Sequence, residues 1–258
     1  MTTTSNEPRE LSAAQRALAL QRLRGIRGGT ADEPMTVPSG TPVPLSPVQH
    51  GLWVVEQFLD DNSLYGVHRS LWLRGELDVV ALRAGLDRLV ARHETLRTTY
   101  TGDTVPRQQV AAAREADFVV TDLAGLPAPE SRQRALDLAG AELGTPFDLG
   151  TGPTLRARLF RTGPAEHLLV LNMHHLVSDA WSCTVLGRDL GELYASEVAG
   201  RAPELPELAI QYGDYAYWQM RRLAGPLREE QLGYWRAALD GVAPVLRLPA
   251  DRRHPARP

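Results

Sequence analysis

The chain has 258 residues, 43% of them hydrophobic and 23% charged, which is enough for one good hydrophobic core and ordinary for a globular domain. A formal net charge of -3 argues against a broad basic surface for nucleic acid. The single cysteine, Cys183, excludes an intrachain disulfide and any cysteine-built zinc or iron–sulfur site. All 28 basic residues are arginine, so Schiff-base and phosphate-loop lysine chemistry are excluded as well. No run reaches the length of a membrane span, and the polar start MTTTSNEPRE has no secretory signal character. The expectation is a cytoplasmic protein without membrane or nucleic-acid partners.

Residues 10–24 space Leu11, Ala14, Leu18 and Leu23 as one face of a short amphipathic helix. Residues 25–44 are rich in glycine and proline and read as a linker, so the compact body is expected over 45–258. Ser46 and Pro47 suit the cap and first position of a helix over 45–59, with Val48, Leu52, Val55 and Leu59 at helical spacing. A strand over 67–73 follows, then a helix capped by Asp78 and running to His93, with Leu82, Leu86, Leu89 and Val90 on its inner face. Strands are expected at 97–100 and 117–121, and a helix over 130–143.

The segment 155–161 alternates Leu155, Ala157 and Leu159 with three arginines, the pattern of a half-buried strand. After a turn at Gly163-Pro164, residues 167–173 form a more continuously apolar strand. Helices are expected over 180–199, 209–222 and 227–240, the last two broken at Gly225-Pro226. Strands alternating with helices, without internal repeat, predict an α/β fold: a mixed sheet flanked by helices.

Possible chemistry concentrates in MHHLVSDAWS, residues 173–182, where a buried strand meets a helix. Adjacent strand residues point to opposite faces, so one of His174 and His175 can face a substrate while the other is satisfied inside. Asp179 is placed to cap the helix or hold an ion pair. Neighbouring histidines grip a single metal ion poorly, and no cysteine completes a set. A Ser/His/Asp triad through Ser178 or Ser182 is conceivable on paper, but no G-x-S-x-G elbow is present. Residue types alone reach a histidine general base beside the bland reading of a structural histidine pair. His93 reads as a hydrogen-bonded core histidine, Trp53, Trp181, Trp218 and Trp235 as packing residues, and Cys183 as a small buried hydrophobe.

MHHLVSDAWS resembles the HHxxxDG signature of condensation domains of nonribosomal peptide synthetases, within the chloramphenicol-acetyltransferase-like superfamily. LSPVQHGLW (45–53) resembles the family's opening S-x-x-Q-x-x-L-W motif. RHETLRTTY (92–100) resembles RHExLRTxF, and YGDYAYWQ (212–219) resembles YxDYAxWQ. The motifs stand in the family's order from residue 45 onward.

The resemblance implies the N-terminal lobe of a two-lobed fold about twice this length, acting on acyl groups carried as thioesters. The acceptor amine attacks the donor carbonyl. His175 would face the tunnel as general base or as stabiliser of the tetrahedral intermediate, since an ordinary imidazole titrates near pH ~6.5. His174 would be its structural partner. Asp179 would form an ion pair with Arg97 or Arg92 of the second motif. Gln49 would approach the channel, and Ala180 (glycine in the family motif), Trp181, Ser182 and Tyr212 would support it. No cofactor or metal of its own is implied; phosphopantetheine arms are the substrate tethers. Partners would be donor and acceptor carrier domains, the second lobe and neighbouring synthetase domains.

The motifs look more like the class joining an L-configured donor. The paired histidines argue against a cyclisation domain, whose signature is DxxxxD. Alternatives are a non-catalytic half-domain that binds carriers or partners, an epimerisation-type relative, and a stand-alone acyltransferase completed by oligomerisation.

Overall fold

A computed structural model describes residues 34–38, 41–59, 61–102, 105–242. The helix expected over 10–24, most of the linker and the C-terminal tail lie outside the described residues. Val43 and Pro44, the last two residues of the expected linker, instead form a short strand, β1 (Val43–Pro44), paired with β4 (Arg107–Val110). The order continues with α1 (Pro47–Glu56), β2 (Gly66–Arg74), α2 (Val79–Arg92), β3 (Thr98–Thr101), β5 (Asp117–Asp122), α3 (Ala128–Leu143), β6 (Leu155–Gly163), β7 (Glu166–His174), α4 (Ala180–Ala199), α5 (Tyr212–Leu223) and α6 (Pro226–Ala238).

Two sheets are built from these strands. The larger has the order β2-β7-β6-β5 and the smaller β1-β4-β3. β5 and β6 run parallel, joined by the crossover helix α3, while β2–β7 and β6–β7 are antiparallel. The mixed sheet flanked by helices is the architecture expected from the sequence. Leu169, Leu171 and Met173 of β7 join Leu82, Leu86 and Leu89 of α2 and Leu186, Leu190 and Leu193 of α4 in the main core. Leu168 and Val170 point the other way, against Phe160 and the Ala135–Ala139 face of α3. β7 is therefore buried on both faces, which explains its unbroken apolar run.

Three elements differ from expectation. The strand expected from residue 97 begins with a 3-10 turn, Glu94–Arg97, because the chain must reverse directly after α2. On α1 the apolar stripe is not the buried one: Gln49 and Trp53 turn inward, while Val48 and Val55 are exposed. The helix is fixed in that rotation by its capping box. Ser46 Oγ accepts from the Gln49 N–H (3.2 Å) and Gln49 Oε1 accepts from the Ser46 N–H (3.1 Å). Arg156 and Arg158 of β6 are also less exposed than a half-buried strand would leave them, because α3 covers their face, while Arg161 stays exposed. Arg156 lies with its guanidinium carbon 3.9 Å from the Phe147 ring centroid, and Arg158 pairs with Asp117 (2.9 Å) and Glu142 (2.8 Å).

α2 and α4 pack closely at Gly85, where an added Cβ would meet the Tyr194 backbone nitrogen at 3.3 Å. Gly85→Val is expected to lower stability by about 1–3 kcal/mol through overpacking, read as a lower urea midpoint. An unchanged midpoint would show that the two helices separate at no cost.

Candidate functional site

β7 ends at His174, and what happens over the next five residues defines the site. The His174 ring is fully buried. Its Nδ1 accepts the Leu176 backbone N–H at 3.0 Å, so that nitrogen carries no proton. The proton is on Nε2, which donates to Glu56 Oε1 at 2.7 Å. His174 is thus a neutral imidazole in one tautomer, and burial pushes its pKa below the ordinary value despite the Glu56 carboxylate. Tyr65 and Phe147 close over it, with ring centroids 6.1 and 5.7 Å away.

His175 follows outside the strand and is exposed. Its backbone N–H donates to the Tyr65 carbonyl at 2.7 Å. Its Nδ1 lies 2.8 Å from the Ser178 carbonyl oxygen, which can only accept. Nδ1 therefore carries a proton, and in the neutral ring the lone pair is on Nε2. Ser178 Oγ donates to the His174 carbonyl at 3.1 Å and closes the turn. His175 lines a cleft of about 510 Å³ together with His93, Gln49, Asp179, Trp181 and Tyr212.

The other expected site residues fall around this cleft in different ways. Asp179 caps α4: its Oδ1 accepts the Ser182 N–H and Oγ–H, both at 2.7 Å. Those bonds lower its pKa, with a smaller contribution from His175. The expected arginine partner is a correction. Arg92 pairs with Asp189 at 3.0 Å. Arg97 pairs with Glu94 at 3.5 Å and donates to the Ala111 carbonyl. Each guanidinium is held by a nearer acceptor, and among the described ion pairs Asp179 takes part in none. Ala180 begins α4 without a positive φ.

Trp181, expected to pack, is 75% exposed at the cleft rim, and Trp235 on α6 is also exposed. Gln49 is fully buried and held by Tyr100 Oη, the Leu176 carbonyl and Gln108. Tyr212 Oη is 2.9 Å from Ser46 Oγ, and burial raises its pKa. Cys183 is buried, and burial raises its thiol pKa.

Three supporting residues were not singled out from the sequence. Glu56 holds His174, Asn62 donates to Glu56 Oε2 at 2.7 Å, and Asp189 accepts from His93 Nε2 at 2.9 Å and from Arg92 and Arg188. Two of them carried a signal. Glu56 puts a negative charge at a helix C-terminus, where the dipole disfavours it. Asp189 shares the helix face of Leu186, Leu190 and Leu193, where an acid must be paired. Among the described residues no group of three or more His, Cys, Asp or Glu is arranged to hold a metal, and no helix is long and apolar enough to cross a membrane.

With this geometry in view, comparison with known proteins gives a consistent result. The condensation-domain family matches residues 40–258. A linear gramicidin synthase of Brevibacillus parabrevis is 40% identical over 215 residues, covering 83% of this chain and 4% of that protein. Phosphinothricin tripeptide synthetase PhsC of Streptomyces viridochromogenes is 40% identical over 249 residues, covering 95% of this chain and 23% of that protein. Among solved structures, the X-domain from teicoplanin biosynthesis superposes with a TM-score of 0.75 at 33% identity, over 87% of this chain and 49% of that one. The starter condensation domain of rhizomide synthetase, at 20% identity and TM-score 0.69, supports the fold alone. The chain spans about half the length of these solved relatives and a small part of the synthetases.

Burial lowers the pKa values of His93, His167 and His174. Below about pH 6.5 the unfolded chain therefore takes up protons that the fold refuses. Stability is expected to be level above that pH and to fall as pH drops through it toward the depressed folded values. Urea midpoints across this range test the sign. A midpoint that holds or rises on acidification would show that these imidazoles are not kept neutral by the fold.

Proposed function

The chain belongs to the condensation-domain family, and from that premise we propose that His175 serves amide-bond formation in nonribosomal peptide synthesis. The substrates are an aminoacyl or peptidyl donor and an aminoacyl acceptor, each a thioester on the phosphopantetheine arm of a carrier domain. The acceptor nitrogen attacks the donor carbonyl carbon, the C–N bond forms, the C–S bond breaks, and the donor arm leaves as a thiol. The nitrogen sheds a proton on the way. The observation that carries the reading is the hydrogen bond of His175: Nδ1–H is committed to the Ser178 carbonyl, so Nε2 is the ring nitrogen left to accept a proton from a group in the cleft that His175 lines. That state favours accepting the proton over donating an N–H to an oxyanion.

Positioning supplies further rate, since two tethered reactants brought together gain from proximity. Gln49 and Tyr212 belong to this function as wall residues. Each is tied to Ser46, which fixes α1 beside the cleft. Asp179, by its cap, sets where α4 starts relative to His175. Turnover belongs to the longer protein in which a second lobe covers the cleft, and the donor class is L. The resemblance of the motifs to L-donor condensation domains supports that choice.

A second reading is a binding half-domain without turnover. It draws on the likeness to an X-domain structure described as a complex with OxyB, 32% identical with TM-score 0.75. Chemically loaded donor and acceptor carriers distinguish the two. The chain continued through a second lobe is expected to form dipeptidyl carrier with an L-donor and not with its D-epimer. His175→Ala is expected to lower kcat by roughly 10²-fold with little change in KM. Equal turnover by wild type and His175→Ala would remove the base role. Carrier binding without product by the extended chain would favour the binding reading.

A further inference from the structure

The catalytic-side histidine is exposed, but the group that fixes it lies on the opposite side of the strand end. Glu56 is not among the residues lining the His175 cleft. It borders a separate polar cleft of about 460 Å³ with Asn62, Phe147 and Asp148. Its side chain is 7% exposed, and a carboxylate so buried is costly unless its oxygens are paired. Both are: Oε1 accepts from His174 Nε2–H and Oε2 from Asn62 Nδ2–H. Asn62 is itself clasped to the Phe147 backbone, donating to its carbonyl and accepting its N–H, both at 2.9 Å. These bonds admit only one orientation of the Asn62 amide.

The chain of consequences runs through hydrogen bonds with fixed direction. A carboxylate is an acceptor only, so it requires the proton on His174 Nε2. Nδ1 is then a lone pair, which is what the Leu176 N–H needs. Leu176 and His174 anchor the turn in which Ser178 Oγ bonds the His174 carbonyl and the Ser178 carbonyl takes the His175 Nδ1–H. Reverse the tautomer of His174 and two N–H groups face each other at Leu176. We propose that Glu56, acting through His174, is a positioning residue that sets the tautomer and orientation of His175. The proposal rests on the condensation reading only for its kinetic consequence; the tautomer it sets is a property of this chain alone.

Glu56→Gln is nearly isosteric and tests the direction of the bonds. An amide must point NH2 either at His174 Nε2–H or at Asn62 Nδ2–H, so one pair of donors collides in either orientation. The chain holds only seven histidines, so 15N imidazole spectra of the 15N-labelled chain can resolve both tautomers.

We expect wild type to give His174 as Nε2–H and His175 as Nδ1–H. Glu56→Gln should mix the His175 tautomers and, in the chain continued through a second lobe, lower kcat on the order of tenfold with KM nearly unchanged. Unchanged His175 signals in Glu56→Gln overturn the proposal. So does full turnover despite shifted signals, or a fall in kcat without a shift. If His175→Ala shows that the condensation reading itself fails, the imidazole spectra still decide whether Glu56 sets the tautomer, so the two failures are told apart.

Discussion

Two adjacent histidines at the end of a fully buried strand cannot share an environment, and most of the local structure follows from that constraint. The first continues the face of Leu168, Val170 and Asn172 and goes to zero exposure. A buried imidazole needs both nitrogens satisfied, and the end of α1 and the turn after β7 do it, while Asn62 and Phe147, on two further loops, brace Glu56. The second histidine is released to the opposite side and tied by its backbone to Tyr65 and by its ring to Ser178. Burial of one ring is thus what makes the other precise in position. The fold uses hydrogen bonds of fixed polarity here, not hydrophobic packing, because only polarity can select a tautomer.

The far wall of the cleft is held by charge. Asp189 has no exposed surface and accepts from Arg92, Arg188 and His93, joining the middle of α4 to the end of α2. Arg92 also donates to the Pro206 carbonyl at 2.6 Å, and the Gln211 amide donates to the Arg92 carbonyl at 3.1 Å, so the strap before α5 is drawn onto the same cluster. Stripped of these donors the Asp189 carboxylate would be a buried charge without compensation, at several kcal/mol. The desolvation that lowers the His93 pKa has the same origin. His93 borders the cleft as a neutral ring locked to an anion, which gives the wall a fixed shape.

Periodicity made the framework legible. α2, α4, β6 and β7 bury large apolar residues at regular intervals, α3 buries Ser131, Ala135 and Ala139 at steps of four, and their order predicts the mixed sheet. α1 was legible in extent but not in rotation. Its apolar stripe competes with Gln49, whose amide meets four polar partners once the capping box forms, and tertiary hydrogen bonding outweighs the exposure of Val48 and Val55. β4 has little apolar signal, because Gln108 alone is buried in its Arg107–Val110 span, and Val43–Pro44 is too short for any period. At the site, the histidine pair was readable from strand alternation. The arginine assigned to Asp179 was not, because Arg92 and Arg97 satisfy nearer acceptors, which spacing cannot rank. Glu56 was hidden for a related reason: its partner is 118 residues away.

Ala180 stands where the family signature has glycine, and the structure gives that difference a physical scale. A glycine is required where φ is positive or where a Cβ would strike a neighbour. Among the described residues every positive φ belongs to a glycine, and Ala180 is the exposed first residue of α4. Its methyl group therefore costs no backbone strain. In a helix alanine is favoured over glycine by about 1 kcal/mol in the interior, so the substitution firms the helix start if it does anything. The hydrogen bonds that fix His175 end at Ser178, before this position is reached, and the Asp179 cap bonds forward to Ser182 across it. The alanine lies between these two constraints and weakens neither, which is why a departure inside the signature leaves the geometry of the histidine turn intact.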